Sequence, residues 1–146
     1  MARVSVKKQC DDALPILKKA PTGIKGFDEI TGGGLPEGRP TLVYGSAGSG
    51  KTLFGMEFLV NGASMFDEPG VFMSFEETES ELATNVSSLG FDVNHLIKAN
   101  RLCIDHVMIE RSEIEETGEY DLEGLFVRLN SAIDSVRAKR VVLDTI

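Results

Sequence analysis

A glycine-rich segment from Gly45 to Thr52 carries the residues of this sequence whose types and spacing are best suited to chemistry. It fits the pattern G-x-x-x-x-G-K-[ST] at every fixed position. Glycines let main-chain amides turn inward around a phosphate, where a Cβ atom would be an obstruction. Lys51 can reach the terminal phosphates and neutralise developing charge, and the Thr52 hydroxyl can ligate Mg²⁺. The predicted phosphate-binding residues are Gly45, Ser46, Ala47, Gly48, Ser49, Gly50, Lys51, Thr52 and Leu53.

Two adjacent carboxylates, Glu76 and Glu77, follow the apolar run 71–75. Neighbouring side chains of an extended chain point to opposite sides, so one of the two can face a bound nucleotide. A carboxylate facing a γ-phosphate can orient and deprotonate the attacking water. We therefore expect at least one of them to be catalytic, with Glu76 preferred. The alternative is that both are solvated charges preceding the next helix.

A third carboxylate, Asp144, ends the apolar run 141–143. Burying it would be costly unless it met a cation or hydrogen-bond donors. The carboxyl end of a parallel strand is also where ligands collect. The position therefore predicts that Asp144 supports Mg²⁺ through a water molecule, and the alternative is a structural aspartate that caps the next element.

Alternating strands and helices must position these side chains. Thr78 and Glu81 have the form of a capping box at a helix start, and Gly62 is a plausible end for the first long helix. The spacing of Ile24, Phe27 and Ile30 predicts one helical turn docked on the core. The pattern indicates an α/β fold with a parallel sheet covered by helices on both faces. Predicted strands are 41–44, 71–75, 102–104 and 141–144; predicted helices are 51–61, 78–90, 92–99 and 122–136; residues 1–20 are expected to be a peripheral arm (or a short helix at 12–19), and residues 110–121 an acidic surface loop.

The composition excludes several classes of protein. The 146 residues carry 15 Lys and Arg against 23 Asp and Glu, a net charge of −8, and 42% are hydrophobic. This is typical of one globular domain and argues against a disordered chain, while the acidity argues against a nucleic-acid surface. The sequence has neither a long apolar span nor the apolar core of a signal peptide. Two distant cysteines indicate neither a disulfide framework nor a zinc site, so we expect a cytoplasmic protein.

Several of these segments together resemble the KaiC branch of the RecA-type ATPases, the family known for the cyanobacterial circadian clock. The resemblance runs from about Pro21 to the end of the sequence, and its segments have matching positions. It implies an ATP- and Mg²⁺-dependent protein that forms a homo-oligomeric ring, usually a hexamer, with possible clock or signalling partners. It also implies slow ATP hydrolysis, Ser/Thr autophosphorylation in some domains, and a catalytic role for the glutamate pair. The segments that carry it are 22–30, Gly32 to Gly38, the loop Gly45 to Thr52, Asp67 to Thr78, and the strand that ends at Asp144.

The resemblance further implies that residues 21–146 are the N-terminal portion of a RecA-like domain truncated after the Asp144 strand, because such a core continues well beyond that strand. The isolated piece is then expected to be inactive. Two other functions remain open from the sequence. One is a DNA-dependent recombination or repair ATPase, which the charge of −8 disfavours. The other is a non-catalytic scaffold in which ATP only closes a ring interface.

Overall fold

The computed structural model describes residues 17–108 and 122–144. Within these ranges, a short antiparallel strand pair precedes a larger unit of helices and parallel strands. The predicted α/β class, a parallel sheet flanked by helices, is confirmed. The elements in chain order are β1 (Lys19–Ala20), α1 (Phe27–Thr31), β2 (Leu35–Pro36), α2 (Lys51–Met65), β3 (Gly70–Ser74), α3 (Glu79–Ser87), α4 (Val93–Lys98), β4 (Leu102–His106), α5 (Leu122–Val136) and β5 (Arg140–Asp144).

Strand β3 lies at the centre of the parallel sheet, between β4 and β5. All of its residues are buried, as expected for a strand covered on both faces. Ser74, its last residue, lies beside His106 of β4 and Asp144 of β5. The three carboxyl ends therefore meet at one edge of the sheet, which is the edge where ligands bind in parallel α/β folds.

The two faces of the sheet are covered by different helices. Phe72 of β3 belongs to the larger core cluster together with α2, α3 and α4, whereas its neighbour Val71 packs against α5. Each large apolar side chain buried in this way contributes about 1.5–3 kcal/mol. In the described part of the chain, no helix is long and apolar enough to cross a lipid bilayer. The larger cluster comprises Met56, Leu59, Val60, Ala63, Phe72, Leu82, Ala83, Val86, Val93, Leu96, Leu102 and Ile104.

Helix α2 is longer than predicted, because Gly62 does not end it. The helix continues to Met65, and Gly62 is buried within it. A Cβ atom at this position would lie 2.6 Å from Cδ of Arg140. The glycine therefore permits the helix to approach the sheet closely, and the interpretation of Gly62 as a helix end is wrong.

The Arg140 side chain that crosses Gly62 is itself fixed in place. It is only 3% exposed, and its guanidinium lies 4.4 Å from the centre of the Phe58 ring and 5.2 Å from that of Phe66. Its Nε donates to Oε2 of Glu68 at 2.7 Å, and its Nη1 donates to the main-chain oxygen of Phe58 at 3.0 Å. Because a buried guanidinium needs these acceptors, the side chain has little freedom to move away from the helix.

The predicted strand at residues 41–44 is wrong. These residues have no regular secondary structure, and the side chains of Leu42 and Tyr44 are 90% and 93% exposed. An extended segment becomes a strand only through hydrogen bonds to a neighbour, and among residues 17–108 and 122–144 no strand pairs with this one. Whether an apolar run forms a strand depends on a pairing partner, which is not a local property of the sequence.

The N-terminal part of the described chain departs from expectation at Ile30. Helix α1 packs edge-to-face through Phe27 on Phe54, with ring centres 5.1 Å apart, but Ile30 is 83% exposed. The turn therefore packs on α2 through Phe27 and not through Ile30, and the predicted docking of Ile30 is wrong. Residues 1–16 of the predicted arm, the predicted loop 110–121 and residues 145–146 lie outside the described residues, while Lys19–Ala20 pairs with Leu35–Pro36.

The predicted capping box of α3 is confirmed. The Glu81 amide donates to the Thr78 hydroxyl, and the Thr78 amide donates to Oε2 of Glu81 at 2.8 Å. The amide and then the hydroxyl of Thr78 lower the pKa of the Glu81 carboxyl. A pKa that is lower in the folded state stabilises the fold above the ordinary pKa of the carboxyl, and this contribution is lost as the pH falls through the folded value.

We expect the substitution Gly62→Ala to lower the free energy of unfolding by about 1–3 kcal/mol, the usual cost of overpacking. The new methyl group would meet the immobile Arg140 side chain, and this outweighs the gain of about 1 kcal/mol in helix propensity. Thermal unfolding of the protein expressed from its complete reading frame measures the change. The matched control is Ser64→Ala on the exposed side of the same helix, which should leave stability unchanged or slightly raised. Equal melting temperatures for Gly62→Ala and the unaltered protein would contradict the prediction.

We expect Thr78→Ala to raise the pKa of Glu81 toward its ordinary value, because one of the two donors that lower it is removed. An NMR titration with isotope-labelled glutamate measures this pKa. The control Thr78→Ser keeps the hydroxyl and should keep the lowered value. A Glu81 pKa that is the same in the alanine and serine variants would refute this account of the cap.

Candidate functional site

The glycine-rich loop joins segment 41–44 to the start of α2. Gly48 and Gly50 have positive φ angles of 73° and 87°, a conformation that side chains with a Cβ atom disfavour. The Ser49 amide donates to the Ser46 oxygen at 3.2 Å, and the Phe54 amide donates to the Gly50 oxygen at 2.9 Å as the helix begins. The loop therefore leads directly into a helix N-terminus, where free amides and the helix dipole favour an anion.

The Lys51 side chain folds back onto this loop. Its Nζ donates to the main-chain oxygens of Gly45 and Ser46, each at 3.1 Å. The ammonium therefore lies at the loop itself. Phosphate oxygens are stronger acceptors for an ammonium than these neutral carbonyl oxygens, so a phosphate held by the loop can take over the interaction.

Thr52 and Asp144 meet although they are far apart in the sequence. The Thr52 hydroxyl donates to Oδ2 of Asp144 at 2.6 Å, across a separation of 92 residues. Both are oxygen ligands of the kind that Mg²⁺ prefers. Within residues 17–108 and 122–144, no group of three or more His, Cys, Asp and Glu side chains could hold a metal ion. The pair therefore fits an ion that takes its remaining ligands from phosphate and water.

Glu76 and Glu77 lie on the turn that follows β3, in different surroundings. The Glu77 amide donates to the Ser74 hydroxyl at 3.0 Å, and Nδ2 of Asn85 donates to Oε2 of Glu77 at 3.5 Å. Glu76 is exposed, and no described side chain or main-chain group makes a hydrogen bond or ion pair with its carboxylate. The structure thus holds Glu77 in place and leaves the Glu76 carboxylate accessible.

The loop and the glutamate turn line the same cavity, which has a volume of about 570 Å³. Its lining includes Ala47 to Leu53, together with Glu76 and Glu77. Gly45 and Ser46 are not among the lining residues, and their oxygens contact Lys51. Asp144 does not line the cavity but reaches it through Thr52. Helix α3 contributes Leu82, Asn85, Val86 and Leu89.

Neither Ser74 nor Asn85 is among the residues to which the sequence motifs assign a role. Ser74 is a hydroxyl residue inside the apolar run 71–75, and that interruption was the available signal. Asn85 had no comparable signal, because it faces Glu77 only once α3 is folded.

The formal charges of the site depend on a cation. Lys51 is opposed by the carboxylates of Glu76, Glu77 and Asp144. The three carboxylates outnumber the one ammonium. The site would therefore repel a polyphosphate anion that carried no cation. A polyphosphate that carries a divalent cation would bring charge of the right sign to the Thr52–Asp144 pair. The site is therefore suited to a complex of a polyphosphate with a divalent cation.

Comparison with known proteins identifies related sequences over nearly the whole chain. The family described as "ATPase: KaiC" matches residues 20–146. The circadian clock protein KaiC2 of Synechocystis sp. is 62% identical over 130 residues, which make up 89% of this chain and 23% of that protein. The circadian clock oscillator protein KaiC of Parathermosynechococcus lividus is 45% identical over 130 residues, or 89% and 24% of the two chains. That of Prochlorococcus marinus is 43% identical over 129 residues, or 88% and 26%.

The chain spans about a quarter of the length of these relatives. The matched range includes every predicted site residue, from Gly45 to Asp144. With the glycine-rich loop, the glutamate turn and the parallel sheet all inside the matched range, the chain belongs to the KaiC family of ATPases.

Proposed function

We propose that this chain binds ATP with Mg²⁺ and that the protein hydrolyses ATP. The observation that carries the proposal is that the loop ending at Thr52 and the turn carrying Glu76 and Glu77 line the same cavity. Phosphoryl transfer needs a phosphate cradle and a group that activates the nucleophile within reach of each other. We take the cytoplasm to be the compartment and circadian timing, the process named for the relatives, to be the setting.

The phosphates would be bound by the loop amides, the N-terminus of α2 and the ammonium of Lys51. Thr52 would hold Mg²⁺ directly and Asp144 would hold it through a water molecule. When bound, the ion neutralises charge on the phosphate oxygens. The hydrogen bond of 2.6 Å between Thr52 and Asp144 supports this assignment, because it places both oxygen ligands together at the start of α2.

Glu76 is the proposed general base, with Glu77 as its positioned neighbour. The accessible Glu76 carboxylate would accept a proton from water as the water oxygen attacks the γ-phosphorus in line. The bond to the bridging oxygen then breaks, and ADP and phosphate form. Lys51 would offset the negative charge that develops on the leaving oxygens. The contact of Asn85 with the Glu77 carboxylate supports the division of roles, since it engages the carboxylate of Glu77 rather than that of Glu76.

Transfer of the same phosphoryl group to a Ser or Thr hydroxyl would differ only in the nucleophile. We propose hydrolysis as the main reaction and autophosphorylation as a secondary one in the whole protein. We also propose self-association into a ring, which the family membership supports. The mass of the protein in solution with and without ATP measures the number of subunits.

We expect Lys51→Ala to weaken the binding of Mg²⁺–ATP by about 10- to 100-fold, because hydrogen bonds from a charged donor contribute about 1.5–3 kcal/mol. Titration with a fluorescent ATP analogue, using protein from the complete reading frame, measures the affinity. Lys98→Ala is a matched control, since Lys98 is an exposed lysine at the end of α4 and away from the cavity. Unchanged affinity in Lys51→Ala would remove the loop from the proposed site.

We expect the double substitution Glu76→Gln with Glu77→Gln to reduce phosphate release by about 100-fold or more, because general-base catalysis contributes about 10²–10⁴. ATP binding should remain, since glutamine preserves shape and removes only the charge. The single variant Glu76→Gln should lose more activity than Glu77→Gln. Glu79→Gln, on the exposed first turn of α3, serves as the control. Full phosphate release by the double variant would overturn the proposed chemistry, and a larger loss in Glu77→Gln would reverse the two roles.

A further inference from the structure

The hydroxyl of Ser74 is a buried polar group that the proposed mechanism does not use. Ser74 is 2% exposed, and the preceding three residues of β3 are completely buried. A serine in a central buried strand packs less apolar surface than the β-branched residues that such strands favour. Its hydroxyl also needs a hydrogen-bond partner, because burying it unpaired is costly. The partner that the structure gives it is the main-chain amide of Glu77, at 3.0 Å.

The main chain at Ser74 is held by hydrogen bonds on the sides of both neighbouring strands. The Ser74 oxygen accepts from the Val107 amide at 2.8 Å, next to β4. The following amide, that of Phe75, donates to the Asp144 oxygen at 3.0 Å, next to β5. Ser74 is thus the last fully paired residue of the central strand. A hydrogen bond from the glutamate turn to this residue ties the turn to the carboxyl end of the central strand.

The side chain also lies on the correct face of the sheet. Side chains alternate along a strand, so Ser74 faces the same side as Phe72. Phe72 packs toward α2, since its Cε2 lies 3.5 Å from where a Cβ of Gly55 would be. Ser74 is therefore on the side of the loop and its helix. In the parallel register, its direct neighbour there is Asp144, the residue bonded to Thr52.

We propose that Ser74 is a positioning residue for the reaction. Its hydroxyl accepts a hydrogen bond from the Glu77 amide and so closes the turn that contains Glu76. The closed turn sets where the Glu76 carboxylate lies relative to the loop. This inference rests on the proposed ATP hydrolysis. The hydrogen bond closes a short turn from residue 74 to residue 77, so Glu76 lies within the closed segment. On the far side, the Thr78 capping box fixes the start of α3. The two anchors together leave the turn little freedom.

The test compares Ser74→Ala with Ser74→Thr in protein expressed from the complete reading frame. Alanine fits the space but removes the acceptor, whereas threonine keeps it. Ser87→Ala is the matched control, because the Ser87 hydroxyl is exposed and bonds only within α3 to the Thr84 oxygen. Three quantities are measured: kcat for phosphate release, the Kd of an ATP analogue, and deuterium exchange at the peptide that contains Glu77. Thermal unfolding monitors folding of each variant.

We expect Ser74→Ala to lower kcat about tenfold while Kd changes less than about twofold, because a small misplacement of a reacting group slows chemistry without weakening binding. Exchange at the Glu77 amide should become faster, and Ser74→Thr should restore both kcat and exchange. A normal kcat in Ser74→Ala, a parallel loss of ATP affinity, or a threonine variant as slow as the alanine variant would each overturn the inference.

The design separates this inference from the function on which it rests. If the unaltered protein releases phosphate and Glu76→Gln does not, the proposed function stands, and a normal Ser74→Ala then defeats only the role of Ser74. If the unaltered protein releases no phosphate, the proposed function and the role of Ser74 both fail. In that case, faster exchange at Glu77 in Ser74→Ala would show only that the hydrogen bond exists.

Discussion

The hydrogen bond between the Thr52 hydroxyl and the Asp144 carboxylate joins the two parts of the candidate site, because it connects the first turn of α2 to the carboxyl end of β5. Asp144 is held in the sheet through its main-chain oxygen, which accepts from the amide of Phe75. The bond therefore fixes α2 relative to β3. The same bond therefore fixes the separation between the glycine-rich loop and the glutamate turn. Every contact that seats α2 on the sheet consequently bears on the geometry of the site.

Two glycines determine how closely α2 approaches the sheet. A Cβ atom on Gly55 would lie 2.8 Å from Cγ1 of Val142, and one on Gly62 would lie 2.6 Å from Cδ of Arg140. The two positions are about two helical turns apart, so they lie on the same side of the helix. Close-packed interiors cannot absorb an added methyl group at such distances unless the neighbouring side chain or the helix shifts. Contacts that look purely structural, such as the one between Gly62 and Arg140, therefore help to place the helix N-terminus at which Thr52 and the loop lie.

The sequence predicted what depends on neighbouring residues and missed what depends on pairing in space. The loop pattern, the capping box at Thr78 and the strand ends at 76–77 and 144 are local signals, and the elements that carry them form as expected. The segment 41–44 has the right composition for a strand, but a strand exists only with a partner. Glycine is a common residue at helix ends, but the role of Gly62 is decided by its contact with Arg140, which lies 78 positions further along the sequence. Ser74 and Asn85 carried weak signals or none because their partner, Glu77, meets them only in the folded chain.

The balance of charge in the site explains how an acidic chain can be suited to an anionic ligand. A net charge of −8 weighs against an extended surface for nucleic acid, which needs many cations along one face. A compact site is less affected, because charges farther away than about 8–10 Å are largely screened at physiological ionic strength. Locally, the ammonium of Lys51 and the helix amides face the carboxylates of Glu76, Glu77 and Asp144. In the proposed function, Asp144 would favour a nucleotide that arrives with its metal ion, and the glutamates would take part in the reaction. The excess of carboxylates in the site would then determine which form of the ligand binds rather than prevent binding.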